Sequence, residues 1–274
     1  MGGGASLRLI DRAFDLFFWP FRAANPAYGL AVISFLTGLA AVLVFRYVSN
    51  QDAMRRIKNR IQAHLLEVRL FPDQLRVVSR AYGRILRFTA IYLTYNLKPV
   101  AILLLPVVIL MVQLDLRFSR IPLRPHDSFI LKARLAEPGA LDSDSLRLPQ
   151  GLTLTAPPVN VLALQEVNWR VRADKYGDFL PAVVVAGQMF TKQVVVSKEI
   201  TRLPVERARA SVVEWFLDPG EQPLPSGGPL RSLEVNYAPR SVDLGYFATN
   251  WLVFFLVVSL VSGLIFKMAL GIEL

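Results

Sequence analysis

The stretch from Arg46 to Lys98 constrains this chain more than any other. It holds 11 Lys and Arg against 3 Asp and Glu, a net +8 in a protein whose formal charge is +10. Apolar runs close it on both sides, Tyr28–Val48 before and Pro99–Leu116 after, and a third run, Tyr246–Phe266, lies near the C-terminus. Positive charge spread over a soluble domain points to nucleic acid. Confined between two membrane-length apolar runs, it acts instead as a topology signal held on the cytoplasmic face. The expected partner is therefore the lipid bilayer, with no DNA.

Tyr28–Val48 has 21 residues, enough at about 1.5 Å per residue to cross a hydrocarbon core of about 30 Å. Ser34, Thr37 and Gly38 give this first span (28–48) a small, mildly polar surface suited to helix contact. Residues 1–27 precede it. They are Gly-rich at first, and Leu7–Arg22 then reads as an amphipathic interfacial helix carrying Phe14, Phe17, Phe18, Trp19 and Phe21. Aromatic rings at this density suit the headgroup level or the protein's own spans. The pattern of a cleaved signal peptide is missing.

Residues 49–88 read as a basic helical hairpin. Ile57, Ile61, Leu65 and Val68 form one apolar stripe, and Leu75, Val78, Tyr82 and Ile85 form another. Leu70-Phe71-Pro72-Asp73 breaks them, with Pro72 suited to start the second helix. Two short antiparallel helices, packed as a coiled coil, would present Arg55, Arg56, Lys58, Arg60, Arg69, Arg76, Arg80, Arg84 and Arg87 outward. That surface is either simple retention charge or a contact surface for anionic lipid, ribosome or an acidic partner. His64 reads as a packing or surface histidine.

Residues 89–116 hold an interfacial segment and the second span, with Pro106 expected to kink it. Arg46 lies at the cytoplasmic end of the first span, and Asn96 and Lys98 lie close to that of the second. They either snorkel to headgroups or line a polar groove open to the cytoplasm. Residues 246–267 form the third span, with Tyr246, Phe247 and Trp251 at its interface and Ser259, Ser262 and Gly263 as a small polar patch. Residues 268–274 are a short tail.

Asp115–Gly245 carries 16 basic and 15 acidic residues, and this near-neutral balance places 117–245 on the face opposite the hairpin. Expected strands are Thr153–Thr155, Val159–Leu164, Val167–Val171, Ala182–Val185, Gln193–Val196 and Arg231–Val235, separated by Pro, Gly, Asn and Asp. Trp169 and Val171 are expected to point inward. Short strands at this spacing predict a β-sandwich-like domain. Thr201–Trp215 is ambiguous, with a short helix led by Leu203 and Pro204 as its one candidate reading. The fold class is thus an α-helical membrane protein with three transmembrane helices, a cytoplasmic helical hairpin and an inserted extracytoplasmic β domain.

Chemistry is sparse. Zero Cys exclude disulfides and thiolate nucleophiles, and His64 and His126 are the only histidines. Glu166, Asp174, Asp178 and Glu199 show no pair spacing, so no catalytic residue, metal or cofactor is expected and the chain does not read as an enzyme.

The order of parts resembles the core of the YidC/Oxa/Alb membrane protein insertase superfamily, closest to its short three-span branch. The residues that carry the likeness are Met54–Asp73 (MRRIKNRIQAHLLEVRLFPD), directly after Val44–Gln51 (VFRYVSNQ), and it extends over 28–116 and 246–267. The resemblance implies insertion or folding of membrane proteins without a cofactor, through a thinned bilayer and a polar groove receiving short hydrophobic segments of nascent membrane proteins. It also implies a groove arginine in the first core span. Arg46 is the only arginine in that span and sits at its end, and the β domain between the second and third spans departs from the family's arrangement. The alternative is a structural or adaptor subunit of an envelope complex in a bacterial inner membrane, with the β domain binding other membrane subunits. A transporter or channel subunit has less to recommend it, because no ion-binding constellation lies in the spans.

Overall fold

The computed structural model describes residues 14, 16–21, 25–49, 51–137, 139, 141–209, 221–243 and 248–271. Its helices are α1 (Pro26–Val48), α2 (Gln51–Leu70), α3 (Leu75–Phe118) and α4 (Trp251–Leu270). Of these, α1, α3 and α4 are long and apolar enough to cross a membrane. With the β-sheet region they make a multi-pass helical membrane protein with a β domain. The chain forms two compact units, Met1–Gly29 with Met111–Trp251, and Leu30–Leu110 with Leu252–Leu274.

In the helical unit, α1 and α4 cross where both present small residues. A Cβ on Gly38 would lie 1.9 Å from Ser262 Oγ and 2.4 Å from the Ser259 carbonyl, so only glycine permits the approach. Phe35 packs edge-on against Phe266 at 5.1 Å beside this crossing. Hydroxyls in α1 are satisfied inside their own helix: Ser34 donates to Leu30 O at 2.6 Å and Thr37 to Ile33 O at 2.7 Å. No partner helix is needed to quiet them in an apolar medium.

The expected second hairpin helix, interfacial segment and second span are one helix, the 44-residue α3. At 1.5 Å per residue it is about 66 Å long, roughly twice the apolar core of a bilayer. Pro99 and Pro106 lie within it. Proline's fixed φ is already helical, so each removes one hydrogen bond and pushes on the preceding turn without ending the helix. The carbonyls deprived of an amide are those of Tyr95 and Ile102. Seven residues apart, they fall on one helix face.

The β domain contains β1 (Ser128–Leu135), β2 (Leu146–Arg147), β3 (Leu152–Val161), β4 (Glu166–Ala173), β5 (Gly177–Phe179), β6 (Ala182–Val185), β7 (Gln188–Thr191), β8 (Val194–Val196), β9 (Glu206–Ala208), β10 (Leu230–Val235), β11 (Val242–Asp243) and β12 (Ala248–Thr249). The largest sheet runs β3-β4-β1-β10-β9, with β2-β6-β7, β5-β8 and β11-β12 as smaller sheets. β1 is the central strand, antiparallel to β4 with Leu131 opposite Trp169, and to β10 with Leu131 opposite Val235. Phe129, Leu131, Ala133 and Leu135 alternate inward and join Trp169, Val171, Val183, Phe190 and Val194 in a single core. Trp169 and Val171 are both fully buried, as their alternation predicts.

Two expected strands, Thr153–Thr155 and Val159–Leu164, are one bulged strand, β3, followed by a 3-10 turn at Leu162–Leu164. Register shifts flank Ala156, and Pro157 and Pro158 are tolerated because β3 is a sheet edge. Of the expected Leu7–Arg22 helix, 16–18 are helical and Trp19–Phe21 form a 3-10 turn, while 7–13, 15 and 22 lie outside the described residues. The same holds for 210–215 of Thr201–Trp215, whose described part holds β9 and no helix, and for Tyr246 and Phe247 of the third span.

Lys192 is fully buried in the β domain, where its ammonium donates to Pro204 O at 2.8 Å and to the Glu221 carboxylate, which also accepts from Gln193 N at 2.5 Å. Removing one member of a buried pair strands the other's charge. Glu221→Ala is expected to destabilise the β domain by about 3–5 kcal/mol, read as a fall in its denaturation midpoint. Gly38→Val should cost the helical unit about 1–3 kcal/mol through overpacking. In detergent it would appear as a lower melting temperature for the helical signal.

Candidate functional site

The hairpin is built from α2 and the first part of α3. Glu67 faces Arg84 at 3.8 Å, and His64 stacks on Phe88 with centroids 5.7 Å apart and planes inclined by 15°. As residue numbers fall on α2 they rise on α3, so the two are antiparallel. The Arg60 guanidinium lies 5.4 Å over the same Phe88 ring, and His64 Nδ1 is 3.0 Å from Glu67 Oε2. Phe88 is therefore the bolt of the hairpin, held by both the imidazole ring and the guanidinium of α2.

The seam keeps most of the expected stripes: Ile57, Ile61 and Val68 on α2 and Val78 and Ile85 on α3 are buried or half-buried. Met54 and His64 on α2 and Val77, Ala81 and Phe88 on α3 are covered beside them, while Leu65, Leu75 and Tyr82 of those stripes are exposed. A two-helix hairpin has only one narrow seam. Leucines beyond its width remain outside. Leu66 is 56% exposed, Leu70 70% and Leu75 81%, and Leu65 and Phe71 are exposed beside them. This apolar tip is the feature that stripe counting missed. Leu65-Leu66 and Leu70-Phe71, adjacent pairs that no single face can bury, were its signal in the sequence.

Arg55, Arg56, Lys58, Arg60, Arg69, Arg76, Arg80, Arg84 and Arg87 are all exposed, with Arg69 and Arg76 flanking the tip. Of the groove candidates, Arg46 lies in the last turn of α1, and Asn96 and Lys98 lie within α3. Arg46 and Lys98 are exposed. Asn96 is half-buried and returns its amide to Tyr92 O of its own helix at 2.9 Å.

In the β domain, Glu166 is paired with Arg134 Nε at 2.7 Å. The Thr153 hydroxyl, and then Arg172, hold the Asp174 carboxyl below the usual carboxylate range. Burial pushes the Tyr237 phenol up, and its oxygen accepts from Val195 N at 3.1 Å. Asp178 and Glu199, distant in sequence, line one cavity of about 530 Å³ together with Arg117, Lys198, Arg202 and Tyr176. The antiparallel pairing of β5 with β8, which puts Asp178 opposite Val195, brings them to it.

No protein-family model matches this sequence, and neither any curated protein nor any solved structure matches it.

Phe88→Ala deletes the stack and the cation contact together and is expected to cost the hairpin about 1–2 kcal/mol. Faster amide hydrogen exchange along α2, with the β domain unchanged, would report it. Exchange unaltered over α2 would mean that Phe88 does not hold the pair.

Proposed function

We propose that this chain is a non-enzymatic membrane-protein biogenesis factor of insertase type, whose basic hairpin meets hydrophobic segments of nascent membrane proteins and passes them toward the spans. The observation that carries this reading is the hairpin tip, where Leu65, Leu66, Leu70, Phe71 and Leu75 stand exposed between Arg69 and Arg76. An apolar surface rimmed by cations is suited to a hydrophobic segment and to the anionic lipid or ribosomal surface it arrives from. The spans add to it. Only 28%, 28% and 11% of their apolar windows are covered by the protein itself, leaving wide faces for lipid or a passing helix.

In this reading the hairpin and C-terminus are cytoplasmic, and the N-terminus and β domain are outside, in a bacterial inner membrane. The +8 of Arg46–Lys98 against the near-neutral 115–245 supports that orientation. Client contact runs through the hairpin tip and apolar span faces, with Arg46, Asn96 and Lys98 acting singly at the polar boundary of the spans. A second reading, an adaptor in an envelope complex, is favoured by one observation. Val159, Leu162 and Leu164 stand exposed at the end of the edge strand β3, an apolar spot fit for a partner subunit.

Photo-crosslinkers placed at Leu66, Leu70 and Leu75 are expected to trap ribosome-bound nascent chains carrying a hydrophobic segment, and to lose most of the adduct when that segment is made polar. No adduct from any of the three positions would sink the insertase reading. Adducts confined to a crosslinker at Leu162, with a mature membrane protein as the trapped species, would replace it with the adaptor.

A further inference from the structure

The cavity containing Asp178 and Glu199 has no part in client handling as proposed above, yet it is built from chemistry of both signs. Its inner wall is the last turn of α3, where Arg117 is only 2% exposed. Arg117 is fixed there: Nη1 donates to Gln113 Oε1 at 2.6 Å and to Gln113 O at 3.1 Å, and the guanidinium lies 5.8 Å over the Phe14 ring. The opposite wall is the segment after β8. It is tied back by Ser197 N donating to Leu123 O at 2.9 Å and Leu203 N to Leu116 O at 2.8 Å. Lys198 reaches across the rim, its ammonium 5.4 Å over the Tyr176 ring.

Three cations and two carboxylates thus face one space of about 530 Å³. They are set at the end of a helix whose preceding turns form an apolar span. A residue one turn past the apolar run of a span is at the level of lipid headgroups. The side-chain set also matches a zwitterion: guanidinium and ammonium groups for a phosphate, carboxylates for an amine. A purely anionic headgroup would leave Asp178 and Glu199 facing like charge.

From this geometry we infer that the cavity is a binding site for a phosphoethanolamine headgroup, held as part of a membrane phospholipid. The phosphate lies toward Arg117 and Lys198, and the ammonium toward Asp178 and Glu199. Arg117 is the preset element, because its partners on α3 hold the guanidinium in place before any lipid arrives.

The test uses the full chain in detergent, supplied with equal amounts of phosphatidylethanolamine and phosphatidylglycerol and read by native mass spectrometry. One retained phosphatidylethanolamine, favoured about tenfold over phosphatidylglycerol, is expected from two charge-assisted contacts to the amine. Lys198→Ala should lower retention about tenfold. Asp178→Asn should abolish the preference while leaving a lipid bound. Both positions are exposed, and unchanged circular dichroism melting will establish that the variants are folded. No retained lipid in the wild-type chain, or retention and preference unaltered in both variants, overturns the site. Displacement of the lipid by equimolar glycerophosphoethanolamine would overturn the lipid as source and leave a soluble phosphoethanolamine compound as the ligand.

Discussion

Backbone amides in a hydrocarbon medium must find their partners within their own segment, and this requirement shapes α1, α3 and α4 more than any side-chain contact. Polar side chains in these helices obey it too. Ser34, Thr37, Thr94 and Asn96 each donate to the carbonyl four residues back in the same helix. Because the helices need so little from one another, few contacts suffice to fix their association. The crossing at Gly38 and Ser262 achieves by closeness what a wide interface achieves by area. A close backbone approach gathers many small dispersion contacts over a short length, and the rest of each span remains available to other apolar surfaces.

The same requirement explains how much of this fold is readable from the residues. Three spans can be read from apolar length alone, since few other structures use such runs. The inward Trp169 and Val171 follow from strict alternation in Asn168–Arg172. Continuity was harder. Pro99, Pro106 and the tyrosine-rich Phe88–Leu97 all look like boundaries, yet an apolar medium tolerates proline within a helix because leaving the helix would strand many more backbone groups. In an apolar run, staying helical is the cheaper course. β1 escaped notice although Phe129, Leu131, Ala133 and Leu135 alternate, because Ile130 is also apolar and Lys132 and Arg134 read as surface charge without a turn signal nearby.

Candidate site residues divide along the same line. The nine basic hairpin residues could be assigned to an exposed surface because charge and helical period agree. The grouping of Arg46, Asn96 and Lys98 rests on their shared place at the polar ends of the spans, a matter of depth along the membrane normal. Asp178 and Glu199 could not be grouped from sequence: no spacing links them, and only the pairing of β5 with β8 sets them around one space. Long-range strand pairing is the information that a single sequence carries most weakly.

The hairpin tip combines two surfaces that proteins usually keep apart. Apolar leucines left in water lower solubility, and each yields about 1.5–3 kcal/mol when fully covered. Arginines around them contribute little to such an energy, because exposed charge pairs are screened, but they raise encounter rates with anionic surfaces and set the orientation of approach. In the insertase reading proposed above, Leu66, Leu70 and Leu75 would supply affinity for a hydrophobic segment, and Arg69 and Arg76 would steer its approach. A retention signal alone would need only the arginines. The leucines, which neither the α2–α3 seam nor the turn buries, are the part of the hairpin on which the proposed contact with a hydrophobic segment rests.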